Sequence, residues 1–106
     1  MFGILTKNDY KVINVNEMDN LIGEVELIDI REPYEYKSGS LITAKNIPMG
    51  TLLSSPEKYI SKDKTYYIMC QSGGRSSAAC RTLTKQGFNV INVAGGMGSY
   101  VGPNKK

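Results

Sequence analysis

Cys70 closes the apolar run Tyr66-Tyr67-Ile68-Met69 and opens the segment Gln71-Ser72-Gly73-Gly74-Arg75-Ser76, after which helical spacing begins. A thiol at the end of a strand, facing a Gly-rich turn and the positive end of a helix, sits where its thiolate is favoured. Gly73 and Gly74 permit positive φ and remove Cβ atoms, so successive amide N–H groups can point inward as a small anion cradle. Such a cradle stabilises a thiolate, or the negative end of a persulfide, without a general base. The chain has no histidine. Cys-His and Ser-His-Asp catalysis are therefore excluded, as are His-ligated metal sites. Any chemistry here runs on a self-activated Cys70.

The elements that position this thiol can be read from periodicity. Lys11–Val15 alternates and predicts a short strand, followed by a short helix over 16–22 that Gly23 ends. Val25–Ile30 has the character of a buried strand, with Asp29 near its carboxyl end. Pro33 suits the first turn of a short helix over 32–37, which Gly39 stops. Asn46–Pro48 predicts a very short strand, and Ser55 is expected to cap a helix that starts at Pro56. Tyr66–Met69 predicts a strand, Arg75–Gln86 a helix stopped by Gly87, and Phe88–Val93 a strand. Strand, helix and strand within about thirty residues make a βαβ unit and hence parallel pairing. The expected fold is α/β, a mostly parallel central sheet with helices on both faces. Sites in such sheets lie beyond the carboxyl ends of strands, where Asp29 and Cys70 both fall.

Composition sets the outer bounds. The 106 residues, 41% hydrophobic and 22% charged, predict one soluble domain over 1–106 with its core at about 10–101. The net charge of +3 is scattered rather than clustered, which describes a solvated surface and not a nucleic-acid surface. No apolar stretch reaches the length of a membrane span and Met1–Tyr10 has no signal-peptide core, so the expected location is cytoplasmic. Cys70 and Cys80 lie too close in sequence for a disulfide framework. Cys80 reads as a small core residue on the helix; its alternative is a resolving thiol for Cys70. Six of the seven tyrosines, at 34, 36, 59, 66, 67 and 100, are expected to pack or line strand edges. Lys105-Lys106 reads as a frayed tail.

Cys70 through Ser76 resembles the Cys-x-x-Gly-x-Arg-Ser loop of the rhodanese (thiosulfate sulfurtransferase) family. Three more segments, in order, are similar to that family. Asp29 through Tyr36 resembles its Asp-x-Arg-x-x-x-Glu-Tyr segment. Gly39 through Pro48 resembles Gly-His-Ile-x-Gly-Ala-x-Asn-Ile-Pro, and Val93 through Met97 its closing Gly-Gly turn. Ser40 stands where the family often has His, Thr43 where it often has Gly, and Tyr100 near a frequent Trp.

The resemblance implies a rhodanese-like fold and a sulfurtransferase that works through a Cys70 persulfide, with no metal and no organic cofactor. The implied partners are a small sulfur donor (thiosulfate, polysulfide or a low-molecular-weight persulfide) and an acceptor thiol or acceptor protein. Gln71, Ser72, Gly73, Gly74, Arg75 and Ser76 would hold the substrate and its charge. Arg75 would brace the loop through Glu35 or Asp29, a choice the sequence leaves open. Arg31 would either attract an anionic donor or brace the fold. Arg75 is the only cation in the loop, so the dianion thiosulfate is a less natural donor than a neutral or thiol-bound sulfur. A Cys-dependent phosphatase of similar fold needs five residues between Cys and Arg, whereas Cys70 and Arg75 enclose four. The alternative from another class is a non-enzymatic sulfur carrier or a protein-binding regulatory module.

Overall fold

The computed structural model describes residues 3–7 and 10–106. Its strands are β1 (Leu5–Lys7), β2 (Tyr10–Asn14), β3 (Glu26–Asp29), β4 (Lys45–Asn46), β5 (Thr65–Met69) and β6 (Asn89–Ala94). They form one sheet in the order β1-β2-β6-β5-β3-β4. Every pairing is parallel except β1 with β2. The helices are α1 (Pro33–Lys37), α2 (Met49–Ser54), α3 (Gly74–Lys85) and α4 (Gly96–Ser99), with 3-10 turns at Val15–Asn20 and Pro56–Lys58.

The two-residue period of the strands divides the core between the two faces. Ile28, Ile30, Tyr66, Ile68, Cys70 and Val90 pack with Leu52, Ala79, Cys80 and Leu83 from α2 and α3. Leu27, Tyr67, Met69, Ile91 and Val93 pack the other way, against Met18, Leu41, Met97 and Tyr100. Central strands β3, β5 and β6 are thus covered on both sides, which is why they read as continuous apolar runs. No helix among the described residues is long and apolar enough to cross a membrane.

Two expectations need correction, and one helix was not anticipated. Residues 49–54 form α2, which seats Leu52 in the core although Gly50 and Thr51 are weak helix formers. Ser55 makes no side-chain cap bond, and only a 3-10 turn follows it. The tail is not frayed: Lys105 bridges antiparallel to Leu41, Ile42 N–H donates to Asn104 O at 2.9 Å, and Lys106 N–H donates to Ser40 O at 2.9 Å. Tyr100 anchors this return, its buried hydroxyl donating to Asp19 at 2.5 Å and accepting from Asn104 N–H at 2.8 Å.

Thr43 is the one non-glycine residue with positive φ among the described residues, at 72°. A β-branched residue there is strained, which accounts for the glycine that the resemblance led us to expect. Thr43→Gly is expected to stabilise the protein by about 1 kcal/mol, net of glycine's greater unfolded-state entropy. Thermal denaturation should show Tm rising by several degrees.

Candidate active site

Cys70 is the first residue beyond β5, and its side chain points to the α3 face of the sheet, fully buried. Gly73 takes the left-handed φ of 98° and turns the chain so that α3 begins directly over the sulfur. The Gly73 and Ser76 amides donate to Sγ at 3.1 and 3.4 Å, and the Ser76 hydroxyl lies 3.4 Å away. Burial alone pushes the Cys70 thiol up. Hydrogen bonds from the Ser76 hydroxyl and from the Ser76, Gly73 and Ser72 amides outweigh that, and the thiol lies below its ordinary value. The sulfur is thus activated by backbone dipoles and one hydroxyl, with no side-chain base among the described residues.

Two structures hold the loop from outside. On the side of Arg75, its guanidinium makes a bidentate pair with Glu35 at the start of α1, at 2.7 and 2.9 Å. Glu35, rather than Asp29, is therefore the partner of Arg75. That pair holds the Glu35 carboxyl at about 2, against an ordinary 4.5, although burial opposes the shift. It raises Arg75 in turn, which stays a cation at any working pH. Glu35 also accepts from Glu32 N–H at 2.9 Å, closing a capping box that ties α1 to the same carboxylate.

Asp29 and Arg31 form a second, buried brace. The Arg31 guanidinium donates to Asp29 at 2.8 to 3.1 Å, to Gly39 O at 2.6 Å and to Gln71 Oε1 at 3.0 Å. Ser40 completes it, donating from Oγ to Asp29 at 2.8 Å. With Arg31 only 3% exposed, the geometry is that of a brace and not of a free cation awaiting an anion. Gln71 is exposed, and its side-chain oxygen is turned away to Arg31. Gly74 leaves open space: a Cβ there would meet only Ser72 Oγ, at 3.9 Å.

Three contributors escaped the sequence reading. The Gly-Gly turn is the start of α4, whose Met97 and Gly98 amides donate to Cys70 O and Gln71 O at 3.0 and 2.8 Å. Asn46 Nδ2 donates to Asp29 O and Arg31 O, fixing the end of β3. Asn92, buried on β6, bonds the Ser76 hydroxyl. A lone polar residue amid Val90, Ile91 and Val93 was the available signal for the last of these. Cys80 is buried in the α3 face, its thiol pushed up to about 12 by burial and by the field of Cys70. A thiol so disfavoured as thiolate is a core residue in its chemistry.

The Arg75–Glu35 pair makes stability depend on pH with a defined sign. A depressed carboxylate stabilises the fold above its unfolded value near 4.5, and that contribution is lost as pH falls towards about 2. Because the Arg75 side chain is 40% exposed, solvent screens the pair and the effect is modest. Acid titration followed by circular dichroism should show Glu35→Gln lacking this part of the slope between pH 4.5 and 2 that the parent shows.

Comparison with known proteins agrees with this architecture. The family model described as Rhodanese-like domain matches residues 14–102. YtwF of Bacillus subtilis, which carries a provisional sulfurtransferase name, is 43% identical over 84 residues, covering 77% of this chain and 79% of that protein. A sulfurtransferase of Allochromatium vinosum is 40% identical over 75 residues, covering 70% and 69%. The crystal structure of a rhodanese-like domain protein from Staphylococcus aureus is similar with a TM-score of 0.79 at 30% identity, over 90% of this chain and 95% of that one. By fold, by loop and by sequence over most of its length, this chain belongs to the rhodanese-like domain family.

Proposed function

We propose that this protein is a sulfurtransferase that carries a sulfane sulfur on Cys70. The observation that carries the proposal is the cradle itself: a buried sulfur receiving Gly73 and Ser76 amides at the start of α3, with no side-chain base among the described residues. Fixed donors of this kind stabilise negative charge on sulfur before and after transfer alike. The Cys70 thiolate attacks the outer sulfur of thiosulfate; the S–S bond breaks, sulfite leaves with its electron pair, and Cys70 holds a persulfide anion. An acceptor thiolate then attacks the outer persulfide sulfur, gives an acceptor persulfide, and restores the Cys70 thiolate. Charge is conserved in both steps, and no redox partner is needed.

Donor preference follows from electrostatics. The guanidinium of Arg75 is neutralised by Glu35, and that of Arg31 is buried on Asp29. A dianion such as thiosulfate therefore gains little at the mouth, and a neutral or thiol-bound sulfur is the favoured donor class. Initial-rate kinetics test the reading, with thiosulfate or a low-molecular-weight thiol persulfide as donor and cyanide or a small thiol as acceptor. Parallel double-reciprocal lines, with higher kcat/KM for the thiol-bound persulfide, are expected. Loading of Cys70 without turnover by any small acceptor would shift the assignment to a carrier that serves one protein partner. Absence of loading would leave only the binding-module reading.

A further inference from the structure

Period two on β6 turns Val90 and Asn92 towards α3, and turns Ile91 and Val93 to the opposite face. Asn92 thus occupies a position where a core aliphatic belongs, at 4% exposure, and its register partner on β5 is Ile68, two residues before Cys70. A carboxamide buried there is costly unless it is bonded. Its bond is to Ser76 Oγ, 2.5 Å from Asn92 Oδ1.

The Ser76 hydroxyl has one proton and three acceptors around it: Asn92 Oδ1 at 2.5 Å, Gly73 O at 3.3 Å and Cys70 Sγ at 3.4 Å. Asn92, the nearest, takes the proton. That arrangement suits a thiol, whose S–H donates to Ser76 Oγ. It does not suit a thiolate, which needs the hydroxyl proton for itself. Turning the hydroxyl to sulfur would leave two lone-pair oxygens face to face. A half-turn of the carboxamide about Cβ–Cγ resolves the conflict, because Nδ2 then donates to Ser76 Oγ while the hydroxyl donates to Sγ. Asn92 Nδ2 has no hydrogen bond among the described residues, and Asn92 borders a cavity of about 260 Å³ with Gly73, Gly74, Ser77 and Gly95, which gives the amide room to turn.

We infer that Asn92 is a positioning residue that couples the Ser76 hydroxyl to the charge on Cys70. It accepts the hydroxyl proton when the sulfur is a thiol and donates to Ser76 when the sulfur is an anion. On ionisation the thiol proton leaves to solvent, while the hydroxyl proton stays on Ser76 and changes partner. A donor–hydroxyl–anion chain is stronger than its neutral counterpart, so the net effect of Asn92 is to favour the anion. The other titratable groups whose charge reaches this sulfur are Arg75, paired with Glu35, and the Cys80 thiol of α3. For turnover the inference rests on the persulfide reading above; for the thiolate it stands on geometry.

The test is the pH dependence of Cys70 alkylation by iodoacetamide, read by peptide mapping on the folded protein with no sulfur donor present. Asn92→Leu is expected to raise the midpoint by about one unit, a roughly tenfold slower reaction below it. Ser76→Ala should raise it too, and Asn92→Leu should add nothing in the Ser76→Ala background. An unchanged midpoint in Asn92→Leu, or shifts that add in the double variant, would overturn the inference. Should Asn92→Leu not fold, the parent decides it: the Asn92 side-chain amide NMR signals must move with the Cys70 midpoint and cease to do so in Ser76→Ala. Signals indifferent to that titration overturn it equally. No step requires sulfur transfer, so this inference and the sulfurtransferase reading fail separately.

Discussion

Cys70→Ser is expected to abolish sulfur transfer, leaving only the rate of the buffer with every donor, while Tm stays close to that of the parent. The substitution preserves shape, since a hydroxyl fits where the thiol sits and can accept from Gly73 and Ser76. It removes the chemistry, because an alkoxide does not form in a site whose donors stabilise charge only by hydrogen bonds, and oxygen forms no stable persulfide analogue. With no histidine in the chain and with Cys80 buried and disfavoured as thiolate, no other side chain can take over. Residual transfer above the buffer rate would mean that Cys70 is not the sulfur-bearing residue. A donor-dependence assay on matched preparations decides it.

The second large effect is expected at Gly96. Its φ is +57°, and a Cβ added there would lie 2.2 Å from Cys70 O and 2.6 Å from Gln71 O. Both obstacles are backbone, and both belong to the carbonyls that α4 holds through the Met97 and Gly98 amides. The chain has nowhere to give except by moving the Cys70 loop. Overpacking together with the left-handed strain gives a cost on the order of 4 kcal/mol for Gly96→Ala, enough to lower Tm by about 15 °C or more in a domain of this size. Transfer by the fraction that remains folded should also fall, because the cradle shifts from the sulfur. Calorimetry alongside activity at a temperature well below the new Tm tests both halves. A stable Gly96→Ala protein with parental activity would show that α4 does not hold the loop.

What the sequence disclosed about this molecule was what the chain encodes locally. The strands at 66–69 and 88–93, the helix after Arg75 and the left-handed turn at Gly73 are all set by runs of neighbours, and each element lies within about one residue of its expected place. What stayed hidden depends on contacts distant in sequence. Nothing in Met49–Ser54 announces a helix, because Leu52 supplies its stability by packing under α3. The tail pairs with residues 40–42 across the length of the chain, and two lysines alone give no hint of it. Arg75 faced two carboxylates of equal promise in sequence. Only the fold shows Asp29 already committed to Arg31 and Ser40, leaving Glu35 free to pair. The Gly-Gly turn was legible as a turn but not as a donor to Cys70 O, since that role belongs to the approach of two loops.

The persulfide on Cys70 is the claim on which the rest depends, and intact-protein mass spectrometry reads it directly. The parent and Cys70→Ser are each incubated with polysulfide and, separately, with thiosulfate, then desalted and weighed before and after cyanide. The account predicts that the parent gains the mass of one sulfur atom, that cyanide removes it, and that Cys70→Ser gains none. Equal gain in parent and Cys70→Ser, or no gain in the parent from either donor, would contradict it.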